Sequence, residues 1–209
     1  MKFYDCKTAP SPRRVRIFIA EKGLDIETVE IDLRSGEQFG DAFRRLNPDC
    51  TVPVLELDDG TCLTEVMGIC RYLEAAHPEP PLFGRTPTEQ GLVTGWNAKI
   101  EHQGLMAMAE AFRNSLPGFK GRALPGPIEY EQIPELAARG RERVAAFMEK
   151  LDARFADSEF VAGPDYSLAD ITALVFVDFA TRAKLGPDDD ATALARWYEA
   201  VSGRPSAAV

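Results

Sequence analysis

Only two histidines and four cysteines occur in this chain, and each scarcity closes off a kind of chemistry. Cys6, Cys50, Cys62 and Cys70 all lie in the first third, form no Cys-x-x-Cys pair and match no zinc-ligand spacing; His77 and His102 add little to one. Reduced thiols in a cytoplasmic protein are the simplest reading. Basic residues are also few, 24 Lys+Arg against 33 Asp+Glu, and the net charge of −9 argues against nucleic acid or an anionic membrane surface as partner. Long apolar runs are missing too. The most apolar stretch, Ile171 to Val177, is far too short to span a bilayer. The strand-like opening Lys2-Phe3-Tyr4-Asp5 does not fit a signal peptide, so a soluble cytoplasmic protein is expected.

What is present divides into two periods. Over the first 77 residues strands and helices alternate. Lys2–Asp5 reads as a strand, and Val15, Phe18, Ile19 and Lys22 fall at helical spacing behind Pro10 and Pro12, with Gly23 at the exit. A strand is expected over 26–33 and a short helix over 37–46. Val54–Leu57 and Cys62–Thr64 flank the turn signal Asp58-Asp59-Gly60 as a hairpin, and a helix follows over 65–76. A βαβ unit followed by a hairpin makes a small mixed four-stranded sheet.

Beyond His77 the proline-rich stretch PEPPLFGRTP reads as an exposed linker, and no strand pattern follows it. Val144, Phe147, Met148, Leu151 and Phe155 keep helical spacing; residues 168–183 are apolar nearly all round, as a bundle's central helix should be. A last helix over 191–202 carries Trp197. The Pro- and Gly-rich segment 118–134 is a loop long enough to suggest a function.

Four places carry chemistry. Pro53 stands at the mouth of a strand, where a missing N–H is tolerable only at an edge or turn. The bond before it is trans by default; a cis bond would turn the Val52 N–H and C=O outward as an edge for an extended peptide. Glu65 and Val66 begin a helix whose free N–H groups and positive dipole end could receive a carboxylate, or which Thr64 merely caps. Ser11 lies at another helix start beside the first strand's end, where open α/β sheets place ligands; its hydroxyl caps that helix or donates to an anion. Ser167-Leu168-Ala169-Asp170 reads as a capping box, with Asp170 reaching back to the Ser167 amide as a folding element.

Together, YDCKTAPSPRRVRIFIAEKGL, LNPDCTVPVLELDDGTCLTEVMGICRYLE, FVAGPDYSLADITALVF and RWYEAVSGRPS resemble the glutathione transferases over essentially the whole chain. The likeness is greatest to a bacterial and fungal branch that lacks the usual catalytic tyrosine. It implies an α/β thioredoxin-like glutathione-binding domain over 1–78, a linker over 79–87 and an all-α helical domain over 88–209 carrying the electrophile side of the site. It implies a cis Pro53, Val52 pairing with the cysteinyl backbone of glutathione, and Glu65 with Val66 holding the γ-glutamyl end. The activity implied is conjugation of the glutathione thiolate to small apolar electrophiles, a detoxification chemistry, in a homodimer with glutathione as co-substrate and no metal.

Three positions depart from the family pattern. Val66 stands where a serine hydroxyl usually meets the glutamyl carboxylate. Cys50 replaces the usual glycine of the Asn-Pro-x-Gly turn and would bring a thiol near the glutathione sulfur. Ala9 lies near the position of the activating hydroxyl, which leaves Ser11 as the favoured donor. In the branch resembled, a His/Ser-containing turn of the helical domain can contribute; here the text is FRNSLPG, so Asn114 and Ser115 join Ser11 as catalytic candidates and Phe112 as a substrate contact. The alternatives are a non-catalytic glutathione-binding relative, or a thiol-disulfide exchanger acting through Cys6 or Cys50.

Overall fold

A computed structural model describes residues 1–209. The first unit is built on a four-stranded sheet in the order β2-β1-β3-β4, with β1 Lys2–Asp5, β2 Glu27–Glu30, β3 Val54–Glu56 and β4 Cys62–Thr64. β1 runs parallel to β2 (Phe3 opposite Thr28) and antiparallel to β3 (Phe3 opposite Leu55), as a βαβ unit joined to a hairpin requires. The crossover is α1, Pro10–Glu21, and α3, Val66–Ala76, follows the hairpin. Ile31, Phe43 and Val54 form a buried cluster against which Tyr4, Leu46 and Val52 pack.

Local physics corrects three expected elements. The second strand is shorter than 26–33: Ile31 N–H still bonds Asp5 C=O at 2.8 Å, but Asp32 Oδ1 then accepts from Arg34 and Ser35 N–H and turns the chain. The helix expected over 37–46 is two pieces, a 3₁₀ turn Glu37–Phe39 and α2 Asp41–Leu46, because Gly40 is extended (φ −71°, ψ 153°). α3 begins at Val66, with Glu65 outside it at φ 62°, so neither Thr64 nor Glu65 caps it with a side chain.

The chain separates into two compact units, Met1–Pro80 with Pro125–Ile128 and Val209, and Pro81–Leu124 with Glu129–Ala208. The second is helical: α4 Pro87–Lys99, α5 Met106–Arg113, α6 Pro134–Ala156, α7 Leu168–Arg182 and α8 Thr192–Ser202. α4 and α5 are joined by a π turn, Ile100–Leu105, at Gly104, where an added Cβ would lie 3.0 Å from the Phe147 ring. α7 is buried continuously from Leu168 to Val177, the central helix its composition predicts. The proline-rich stretch 78–87 is not simply an exposed linker. Leu82 and Phe83 are 3% and 1% exposed, and Leu82 C=O accepts from Leu168 N–H at 2.8 Å. No helix is long and apolar enough to cross a membrane.

Candidate functional site

The sheet unit presents three sets of unused backbone or hydroxyl groups. The first is at Val52. The Val52–Pro53 peptide is cis, the Val52 side chain packs on the Ile31–Phe43–Val54 cluster, and its N–H and C=O enter no hydrogen bond within the chain. The turn leading to it is stapled by Asn47, which is 1% exposed. Asn47 Nδ2 donates to Thr51 C=O (2.9 Å) and Thr51 Oγ1 (3.0 Å), and its Oδ1 accepts from Asp49 N–H (3.0 Å).

The second is the start of α3. Ile69 N–H bonds Glu65 C=O at 3.0 Å, which leaves the N–H groups of Val66, Met67 and Gly68 without intrahelical acceptors. No acidic side chain occupies that first turn, so its positive end is uncompensated. Val66 is 4% exposed, so it offers a ligand its N–H and no side-chain donor.

The third is the start of α1. Ala9 is the N-cap and cannot cap with a side chain, so Ser11 is not the cap; it sits at the second helical position. Pro10 and Pro12 lack N–H groups, and Arg13 N–H reaches Ala9 C=O at 3.4 Å. The first turn is therefore left with one N–H and one hydroxyl to offer, both from Ser11, whose Oγ makes no bond within the chain. Tyr4 is not a competing donor. Its hydroxyl donates to Glu56 Oε2 at 2.7 Å, and burial, then Glu56, push its pKa up to about 12.

The cysteines and the helical-unit candidates are placed differently from expectation. Cys50 has φ 53°, as a position favouring glycine should, but its thiol is buried (3% exposed) and lies 3.5 Å from Pro48 C=O, not on an open surface. Cys6 is 5% exposed with Sγ 3.5 Å from Thr8 Oγ1. None of the four cysteines is joined in a disulfide. Asn114 is buried and both ends of its amide are engaged: Nδ2 donates to Glu110 C=O (3.0 Å) and Oδ1 accepts from Ile133 N–H (2.9 Å). Ser115 Oγ donates back to Ala111 C=O at 2.7 Å. Both side chains hold the loop between α5 and α6 rather than offering free donors. Phe112 packs against Phe119 (tilted) and Phe179 (edge-to-face), with ring centroids 5.3 and 5.1 Å away.

Residues that motif reading passed over support these sites. Arg16 Nη1 binds Asp5 Oδ1 at 2.6 Å and Cys6 C=O at 3.4 Å, and Nη2 binds Lys7 C=O at 3.1 Å. Burial raises the Asp5 pKa against the opposing pull of Arg16. Lys22, taken as part of an apolar helix face, carries a fully buried ammonium. It binds Glu74 (2.6 Å), His77 C=O (2.8 Å) and Pro80 C=O (2.5 Å). A charged residue at an apolar-periodic position, just before a helix-ending glycine, was the available signal. The capping box at α7 is as read: Asp170 accepts from Ser167 N–H (3.1 Å) and Oγ (2.9 Å), and also from Val161 N–H (2.9 Å) and Trp197 Nε1 (3.0 Å). Burial still pushes its pKa up to about 6.

Comparison with known proteins fits this geometry. Residues 8–76 match the family model for the glutathione S-transferase N-terminal domain, and residues 105–205 the model for the C-terminal domain. Glutathione S-transferase 2 of Saccharomyces cerevisiae is 36% identical over 209 residues, covering 99% of this chain and 87% of that protein. The crystal structure of Gtt2 from the same yeast superposes with a TM-score of 0.89 at 36% identity, over 99% of this chain and 98% of that one. A glutathione S-transferase domain-containing protein of Marinobacter aquaeolei gives 0.90 at 36% identity, over 99% of both chains.

Proposed function

The chain belongs to the glutathione S-transferase family, and from that premise we propose that it binds glutathione on the sheet unit and adds its thiolate to small apolar electrophiles. The observation that carries the reading is Val52. An N–H and a C=O on one residue, both unused and fixed by an inward-packed side chain, match the backbone of a bound cysteinyl residue. The open start of α3 then receives the γ-glutamyl carboxylate on the N–H groups of Val66, Met67 and Gly68.

Ser11 is the proposed thiolate donor, through its N–H and hydroxyl. A free thiol with pKa near ~8.5 is only about 3% thiolate at neutral pH, and lowering it by about two units requires about 2.7 kcal/mol of selective stabilisation. One charge-assisted hydrogen bond contributes roughly 1.5–3 kcal/mol and a helix start roughly 0.3–1. Ser11 at the start of α1 therefore suffices in magnitude, with the proton lost to solvent before attack. The thiolate sulfur bonds to the electrophilic carbon, and the electron pair leaves on the displaced group or moves into the acceptor. Burial of Cys6 and Cys50 speaks against the thiol-disulfide alternative.

The supporting assignments follow the same reading. Four cysteines outside any disulfide suit a reducing cytoplasm. Leu92 and Met106, 48% and 50% exposed, suit a homodimer contact, for which light scattering should return twice the 23.0 kDa chain mass. The deciding experiment is calorimetry of glutathione at pH 6 and pH 8, with S-methylglutathione alongside. Proton release on binding glutathione, absent with the methyl thioether, is expected. Equal binding of both without proton release would reduce the protein to a carrier, and no binding would overturn the site.

A further inference from the structure

We infer that Arg16, with Asp5, is a positioning residue for the thiolate. This rests on the conjugation reading above and adds to it the device that holds Ser11 where the sulfur needs it. In the first turn of α1, Pro10 and Pro12 leave Ser11 as the only source of free donors. Hydrogen bonds weaken steeply with angle and distance, so a site with one donor residue depends on how rigidly that residue is presented.

Ser11 is delivered by the turn Cys6–Ala9, in which Lys7 and Thr8 are exposed and contribute no apolar packing. Arg16 supplies the rigidity. It grows from the same helix as Ser11, and its guanidinium takes the carboxylate of the last β1 residue and the next two carbonyls at once. Strand end, turn and helix are thereby tied by one planar group, a geometry that a point-charge ammonium cannot reproduce. Two further bonds close the frame: Ala9 N–H to Cys6 C=O at 2.9 Å and Lys7 N–H to Glu30 Oε1 at 3.0 Å.

Asp5 is 1% exposed and its second carboxyl oxygen has no partner. Here the carboxylate grips the guanidinium by one oxygen, Nη1 and Nη2 reach the turn's carbonyls, and Nε is left without a partner. The pair thus orients the turn, and Ser11 inherits the orientation.

The test compares Arg16→Lys, Arg16→Met and Asp5→Asn with the wild type, using glutathione and a generic aryl halide. The readouts are kcat, KM for glutathione and the acid limb of the kcat/KM profile. Thermal unfolding shows which variants fold. In Arg16→Met the acid limb should move up by about one unit and kcat at pH 6.5 fall about tenfold. Its KM for glutathione should stay within about twofold, because Val52 and the start of α3 hold the peptide. Arg16→Lys should recover only part of the shift, since it keeps the charge but not the fork, and Asp5→Asn, which keeps the accepting oxygen, should recover most of it.

A folded Arg16→Met with a wild-type acid limb would overturn the inference, and so would full rescue by Arg16→Lys. If Arg16→Met does not fold, the lysine and asparagine variants decide by the same criteria. Absence of conjugation in the wild type would instead remove the parent reading, a result distinct from any pattern among the variants.

Discussion

Helix starts are treated in opposite ways in the two units. In the helical unit three of them, those of α4, α7 and α8, are closed by the protein's own carboxylates. Asp170 accepts from Ser167 N–H and Oγ at the start of α7, and from Val161 N–H and Trp197 Nε1 besides; Glu89 Oε2 accepts from Arg85 and Thr86 N–H ahead of α4 (2.7 and 3.2 Å), and Asp152 Oδ1 accepts from Leu194 N–H in the first turn of α8 (2.8 Å). In the sheet unit the starts of α1 and α3 have no side-chain cap and no acidic residue in the first turn. There the opposite ends are secured instead: Lys22, at the end of α1, holds the carbonyl that follows α3. A helix start is an anion site by its nature. The helical unit fills three such starts from within, and the sheet unit leaves those of α1 and α3 open.

The largest break in this contrast is expected where the closure is deepest. Lys22→Met leaves the partly buried Glu74 carboxylate and two carbonyls without their cation, and removing one partner of a buried pair costs about 3–5 kcal/mol. Denaturant unfolding should show the loss in the midpoint. Asp170→Asn is nearly as severe. Its amide nitrogen faces donors, so at least one of Val161 N–H, Trp197 Nε1 and the Ser167 groups loses its acceptor inside a 0%-exposed site, at about 3 kcal/mol. An unchanged midpoint in either variant would show the closed ends to be dispensable.

The open ends answer to activity rather than stability. Ser11→Ala removes a partly exposed hydroxyl with no partner in the chain, so stability should hold within about 0.5 kcal/mol. Turnover at neutral pH should fall by about 10- to 100-fold, the equivalent of one charge-assisted bond. A Ser11→Ala enzyme as fast as wild type would move the donor role to backbone amides. Val66→Ser sharpens the comparison from the other side. A hydroxyl added at the start of α3 should tighten glutathione binding by about 1 kcal/mol, while replacing a 4%-exposed valine costs about 1–2 kcal/mol of stability. Calorimetry and unfolding on one sample separate the two; weaker binding would place the carboxylate elsewhere.

The contrast was only partly legible in the sequence. Strand alternation, Asp-Asp-Gly and the Ser-x-x-Asp box are local signals that act within a few residues, and the sheet order, hairpin and Asp170 cap follow from them. The uncapped starts were not legible: Ser11 and Thr64 stood as possible caps, whereas Ala9 and Glu65 hold the N-cap positions without a side-chain bond. What could not be read depends on distant partners. The Asp5–Arg16 clamp needs the crossover to bring residues eleven apart together, and Lys22 meets Pro80 across 58 positions. Asn114 and Ser115 misled for a related reason. Polar side chains near a suspected site look available until the loop between α5 and α6 uses them.

The smallest expected effect separates the closed starts from each other. Glu89 lies at the surface, partly exposed, and backbone donation from Arg85 and Thr86 lowers its pKa below the ordinary 4.5. A depressed carboxyl contributes stability above its unfolded pKa and loses it as pH falls through the folded value, so the α4 cap should open on acidification. Asp170 has the opposite sign: burial raises its pKa from 3.8 to about 6. The folded state then binds a proton that the unfolded chain releases across that window, so this group favours folding increasingly as pH falls from about 6 towards 3.8, and favours it least above about 6. Between pH 7 and pH 3.5, amide exchange corrected for intrinsic rate should lose protection at Arg85 and Thr86 while Val161 and Ser167 keep theirs. Simultaneous loss at both would mean that the two caps melt with the whole unit, and that burial of the capping carboxylate has no part in deciding how a helix start responds to acid.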